Sequence, residues 1–123
     1  MLKKSIIIAD SSTIGRIGLK AIIDTMDGYD VEGEAENSEE VFVLIEKNAP
    51  HIVIIDFLSD GFDIETVVEI RRSYPKVMLL AITPLQSGAT LTSALRAGID
   101  SYIKKSCDIP EVIDAIEKTS EGT

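Results

Sequence analysis

The chain has one cysteine, Cys107, and one histidine, His51. A lone thiol cannot close an internal disulfide, which fits a reducing compartment, and a lone imidazole leaves no second histidine to make a metal pair. Positive charge is scarce as well: 12 Lys and Arg stand against 21 Asp and Glu, a formal net charge of −9. A surface of that sign repels phosphate backbones, so direct binding of nucleic acid by this segment is not expected. Long apolar runs are missing too. The longest, Val77 to Ile82, is far too short to span a bilayer. The charged start, Lys3-Lys4, leads into only the short apolar stretch Ile6 to Ala9, less than a secretory signal needs. A cytoplasmic chain without membrane contact is expected.

What is present suffices for one domain. At 123 residues and 45% hydrophobic, the chain can bury about two thirds of its unfolded surface without disulfides or metals. Two periodicities alternate along it. Short runs rich in Ile and Val, at Ser5–Ala9, Ile52–Ile55 and Val77–Ile82, read as strands buried on both faces, with weaker candidates at Tyr29–Ala35 and Ser101–Ile103. Between them lie stretches with apolar residues three and four apart, the helical signature. The first carries Ile14, Ile17, Leu19, Ile22 and Met26; later ones carry Val41 and Ile45, Ile64 and Val67, Leu91 and Leu95, and Ile109 and Val112.

Punctuation supports the pattern. Ser38 is placed to cap the second helix, and Asp108-Ile109-Pro110-Glu111 joins an N-cap acid to a first-turn Pro. Ala97-Gly98 stops the fourth helix, Tyr74-Pro75 the third. The result is five βα units, and right-handed crossovers make of them a parallel sheet with helices on both faces. A domain over residues 1–119 is expected, with Ser120 to Thr123 as a frayed end or the start of a linker.

A parallel sheet gathers the carboxyl ends of its strands on one edge, where α/β proteins place their ligands. Asp10, Ser11, Asp56, Thr83 and Lys105 all follow or end strands and should converge there. Asp56 alone would be an ordinary solvated loop acid; its company gives it chemistry. Two carboxylates suit a hard cation such as Mg²⁺, and a neutralised carboxylate can attack phosphorus. A nearby hydroxyl and ammonium would hold the transferring phosphoryl oxygens. His51 precedes a strand at the other edge and reads as a surface residue. Cys107 lies just before a helix, a place that lowers a thiol pKa, although chance placement is the simpler reading.

The whole pattern resembles a response-regulator receiver domain of two-component signalling, of the NarL/LuxR subfamily. The resemblance rests on Ala9-Asp10-Ser11-Ser12-Thr13-Ile14-Gly15-Arg16, on Asp56 with Ile64-Glu65-Thr66-Val67-Val68, and on Ala94-Leu95-Arg96-Ala97-Gly98 leading to Tyr102-Ile103-Lys104-Lys105. It implies the flavodoxin-like (βα)5 fold with strand order 2-1-3-4-5. It also implies that Asp56 is the phosphoacceptor, with Thr83 as switch hydroxyl and Lys105 as the conserved lysine. Lys104 falls on the opposite face of the strand. Tyr102 would be the aromatic whose rotamer reports the switch. Mg²⁺ would be held by Asp10, Asp56 and the backbone carbonyl of Leu58. A histidine kinase would supply the phosphoryl group, the surface around the fourth helix, fifth strand and fifth helix would respond, and a C-terminal helix-turn-helix DNA-binding domain and a homodimer are the usual company.

The sequence departs from the family in places. Ser11 stands where the pair's second acid, a direct metal ligand, is expected, and Ser59-Asp60 replaces the usual Met-Pro. The loop from Phe57 to Asp63 is one residue shorter than the pattern, and Pro84 follows Thr83. Two readings stay open: a working receiver with weakened Mg²⁺ binding, Asp60 or Asp63 supplying the lost charge, or a degenerate receiver acting as a protein-interaction module. Two other classes fit less well. A phosphatase with an Asp nucleophile needs a second Asp at the Leu58 position, and in a nucleotide or flavin binder Asp10 would repel the phosphate.

Overall fold

The structure is a computed structural model in which residues 3–84 and 87–122 are described. Strands and helices alternate in the order β1 (Lys4–Ala9), α1 (Thr13–Asp24), β2 (Tyr29–Ala35), α2 (Ser38–Asn48), β3 (Ile52–Ile55), α3 (Ile64–Ser73), β4 (Met78–Thr83), α4 (Gly88–Ala97), β5 (Ser101–Lys104) and α5 (Ile109–Glu121). The strands pair in parallel, in the order β2-β1-β3-β4-β5. This is the expected flavodoxin-like sheet.

The Ile-rich runs become central strands because helices cover both faces of the sheet. Alternate residues feed two cores. Ile7, Ala9, Val53, Ile55, Leu79 and Ala81 face Val41, Ile45, Val67, Ile70 and Ala94, from α2, α3 and α4. Ile6, Ile8, Ile52, Ile54, Leu80 and Ile82 face Ile23, Val112 and Ile116, from α1 and α5. Each fully buried Ile contributes about 1.5–3 kcal/mol of transfer free energy, which concentrates the stabilisation in the central strands. At the edge, β2 alternates exposure along its length, and its register with β1 shifts between Ile6 and Ile7. That half-exposed pattern is why its sequence signal is weak.

Side-chain chemistry fixes the helix starts. Ser12 Oγ accepts from the Gly15 N–H, Ser87 caps α4, and Asp108 accepts from the Glu111 N–H with Pro110 in the first turn of α5. Asp63 and Thr66 form a reciprocal capping box on α3. Three expectations need correction. The cap of α2 is Asn37, whose side chain takes the Glu40 N–H. Ser38 instead donates to the Gly61 carbonyl and pairs with Thr66, tying α2 to the loop before α3. Ser120 is helical where a frayed end was expected: α5 runs through Glu121 and closes on Gly122 in the left-handed region. Ser120 Oγ lies 2.7 Å from the Tyr29 hydroxyl, and its carbonyl accepts from Lys4 Nζ at 3.1 Å. Thr123 lies outside the described residues. Finally, Ile14 and Ile17 are 84% and 62% exposed. The covered stripe of α1 is Arg16, Leu19, Ile22 and Ile23, continued by Met26 just past its C-terminus, so an arginine fills its first buried turn.

Candidate functional site

Parallel register brings the ends of β1, β3 and β4 level. Ala9 pairs with Ile55 and Ile55 with Ala81, so Asp10 and Asp56 leave the sheet side by side. Asp56 N–H donates to the Ala9 carbonyl at 2.9 Å and Asp10 N–H to the Ala35 carbonyl at 3.0 Å, which prolongs the ladder to both acids. Both are buried, at 6% and 3% exposure. Lys105 follows β5 and is anchored by its own N–H to the Thr83 carbonyl at 2.7 Å.

The ammonium of Lys105 bridges the two acids. Nζ lies 2.6 Å from Asp10 Oδ2 and 2.8 Å from Asp56 Oδ2. Burial works to lower the lysine pKa, but the hydrogen bonds and charges of Asp10 and Asp56 outweigh it and hold the pKa above the ordinary 10.5. The lysine is therefore a fixed cation at every physiological pH. The other carboxylate oxygens have partners as well: Asp10 Oδ1 accepts from the Ser12 N–H at 2.9 Å, and Asp56 Oδ1 from the Leu58 N–H at 3.0 Å.

Hydroxyls close the remaining side. Ser59 Oγ donates to the Asp56 carbonyl at 2.8 Å and accepts from the Ser11 N–H at 3.2 Å, so the loop after β3 is stitched to the turn after β1. Behind that turn Arg16, 6% exposed, donates to the Asp10 carbonyl at 2.7 Å and pairs with Glu34 and Glu36. Gly15 leaves the approach to Asp10 open, because a Cβ there would sit 2.9 Å from Asp10 Oδ2. These residues open on a cavity of about 210 Å³, walled by Ile14, Gly15, Cys107 and Ile109 above Asp10, Asp56 and Lys105. A larger groove of about 660 Å³ lies at the opposite edge, near His51 and Tyr74. Its walls carry one acid, Glu46, so the chemistry sits in the smaller cavity.

Thr83 is fully buried and near the site, but its hydroxyl donates to the Tyr102 hydroxyl at 2.9 Å. Tyr102 in turn packs edge-on against Phe57, ring centroids 6.3 Å apart. The switch candidates thus form a chain running from β4 to the residue after Asp56. His51 is exposed and accepts the Ser5 N–H at 3.1 Å, a strap across the start of the sheet. Cys107 carries no sign of an activated thiol: its pKa is raised, by burial first and then by the charges of Glu111 and Asp108. These outweigh the helix N-terminus. Gly15 and Arg16 stood in the sequence only as part of the first motif and Ser59 only as a departure from Met-Pro, and none was given a role in the site. The physical signal for Arg16 was a charged residue in register with the apolar stripe of α1.

A divalent cation finds a thin donor set here. Asp10 and Asp56 are both engaged by Lys105, and Ser11 offers a neutral hydroxyl where a third carboxylate would stand. Neither proposed replacement serves. Asp63 spends its carboxylate on the cap of α3, and Asp60 is exposed to solvent. Among the described residues no three His, Cys, Asp or Glu side chains are grouped to hold a metal ion. Receiver domains typically bind Mg²⁺; the residues of this chain do not fit a tight site for it.

Fold and site together define a doubly wound α/β domain with a lysine-bridged acidic pocket at the carboxyl edge of its sheet. Residues 6–117 match the response regulator receiver domain family, and the chain belongs to that family. It is 29% identical over 118 residues to the response regulator protein VraR of Staphylococcus aureus, covering 95% of this chain and 56% of VraR. The chain thus spans about half the length of the curated relatives it matches. Among solved structures, a LuxR-family two-component response regulator from Aurantimonas superposes with a TM-score of 0.92 at 31% identity, covering 98% of this chain and 86% of that one. The receiver domain of the response regulator NarL from Mycobacterium tuberculosis gives 0.92 at 22% identity, with both chains fully covered, a likeness of fold. Receiver domains are signalling domains rather than turnover enzymes. Among the described residues no helix is long and apolar enough to cross a membrane.

Proposed function

We propose that Asp56 accepts a phosphoryl group from the phosphohistidine of a partner kinase. An Asp56 carboxylate oxygen bonds to phosphorus while the P–N bond to the donor imidazole breaks, and the released nitrogen keeps the electron pair and takes up a proton. Lys105 stays within reach of the incoming oxygens and offsets their charge. The observation that carries this reading is the ammonium bridging Asp10 and Asp56 beneath an open cavity at the carboxyl edge of the sheet.

The added charge then draws the Thr83 hydroxyl away from Tyr102, and the aromatic turns. That event biases the surface of α4, β5 and α5 between two states. In the full-length cytoplasmic protein this surface controls a C-terminal helix-turn-helix DNA-binding domain and pairing with a second copy. The length of the curated relatives supports such an output.

The test is acetyl phosphate labelling followed by intact mass, with and without Mg²⁺, on the wild type and on Asp56→Ala. One phosphoryl group on the wild type and none on the variant is the expected result. No Asp56-dependent mass gain in either buffer would leave a degenerate, phosphate-independent interaction module as the function.

A further inference from the structure

The site neutralises its acids with its own lysine. Asp10 and Asp56 carry two negative charges, and Lys105 returns one positive charge at 2.6 and 2.8 Å, the distances of strong charge-assisted hydrogen bonds. A second cation, the buried Arg16 guanidinium, reaches the Asp10 backbone at 2.7 Å. Ser11 removes the third acid that would draw a divalent ion into competition with Lys105. Its backbone is held by Ser59, which bonds in turn to the Asp56 carbonyl. A divalent ion must therefore displace an ammonium from two carboxylates while gaining one fewer charged ligand than a three-acid site provides. A phosphoryl-like anion meets the opposite situation: the ammonium is in place, and Gly15 keeps the entrance open.

Building on the phosphoacceptor reading, we propose that Asp56 takes up a phosphoryl group, or a tetrahedral fluoride mimic of it, without a divalent cation. Lys105 provides the charge neutralisation, and Ser11 is the residue that sets this independence. The carboxylates need no metal to be held in place, because lysine, turn and loop already engage all four of their oxygens.

Fluoroberyllate is the probe, and its binding is read by fluorine and amide NMR in a buffer containing either EDTA or Mg²⁺. The expected wild-type affinities in the two buffers differ by less than about tenfold. Ser11→Asp is expected to open that gap beyond about tenfold by tightening the Mg²⁺ arm. Lys105→Gln should lose binding in EDTA and Lys105→Arg should retain it, with circular dichroism reporting whether each variant is folded. A wild type that binds more than about tenfold better with Mg²⁺, or a Ser11→Asp protein with no added dependence, overturns the inference while phosphoacceptance stands. Failure of the wild type to bind or to be labelled in both buffers overturns both.

Discussion

Replacing Lys105 with Met removes the one cation that separates two buried carboxylates. Its stem is nearly reproduced in volume, so the change isolates the charge. Breaking a fully buried ion pair costs about 3–5 kcal/mol, because a desolvated charge is left without its partner. Here two carboxylates lose one ammonium, but that ammonium is 31% exposed and water would enter in its place. A loss of about 2–3 kcal/mol at pH 7 follows, or roughly 8–12 °C in midpoint for a domain of this size. The pH dependence carries the sharper test. In the wild type the lysine pKa is raised, so its contribution is fully present below the ordinary 10.5 and fades only as pH climbs through the higher folded value. The gap between wild type and variant should therefore be full at pH 7 and close only as pH climbs through that folded value. Thermal melts followed by circular dichroism at several pH values would measure it. A variant melting within about 1 °C of the wild type at pH 7, or a gap widening above pH 10.5, would refute the bridge as an electrostatic element.

Ile54→Ala empties a site under α1 and α5, and urea unfolding should show a loss of about 3–4 kcal/mol. Gly98→Ala places a methyl 2.7 Å from Arg71 Cγ on a backbone at φ 124°, in a turn whose carbonyl that arginine holds; about 2–3 kcal/mol should be lost in the same assay. Cys107 should react with iodoacetamide at pH 8 more slowly than a small model thiol, because burial and then Glu111 and Asp108 disfavour its thiolate. Faster alkylation would contradict that electrostatic reading. By the same shift, the folded thiol keeps its proton where an unfolded one loses it, so Cys107 costs stability as pH rises past 9.0.

The fold was legible because each element carried its own period. Ile6, Ile8, Ile52 and Ile54 had to face something apolar on one side, and Ile7, Val53 and Ile55 on the other, which only a covered parallel sheet allows. Caps were less legible. Asn37 and Ser38 are equally good N-cap residues, and the choice between them rests on Gly61 and Thr66, more than twenty residues away. The exposure of Ile14 and Ile17 was hidden for a related reason. Their spacing suits an apolar stripe, but the Asp10 carbonyl and the Glu34 and Glu36 carboxylates claim Arg16, and that rotates α1 about its axis.

Convergence at the site was legible for a topological reason: every strand of a parallel sheet ends at the same edge, so Asp10, Asp56, Thr83 and Lys105 are neighbours before any side chain is placed. Sequence could not say which oxygen each donor takes. Ser11 reads as a lost charge when the residues are taken in order. In three dimensions its amide holds Ser59, Ser59 holds the Asp56 loop, and Lys105 fills the space between the acids. The substitution changes which cation the acids are arranged around, and the geometry of those acids survives it.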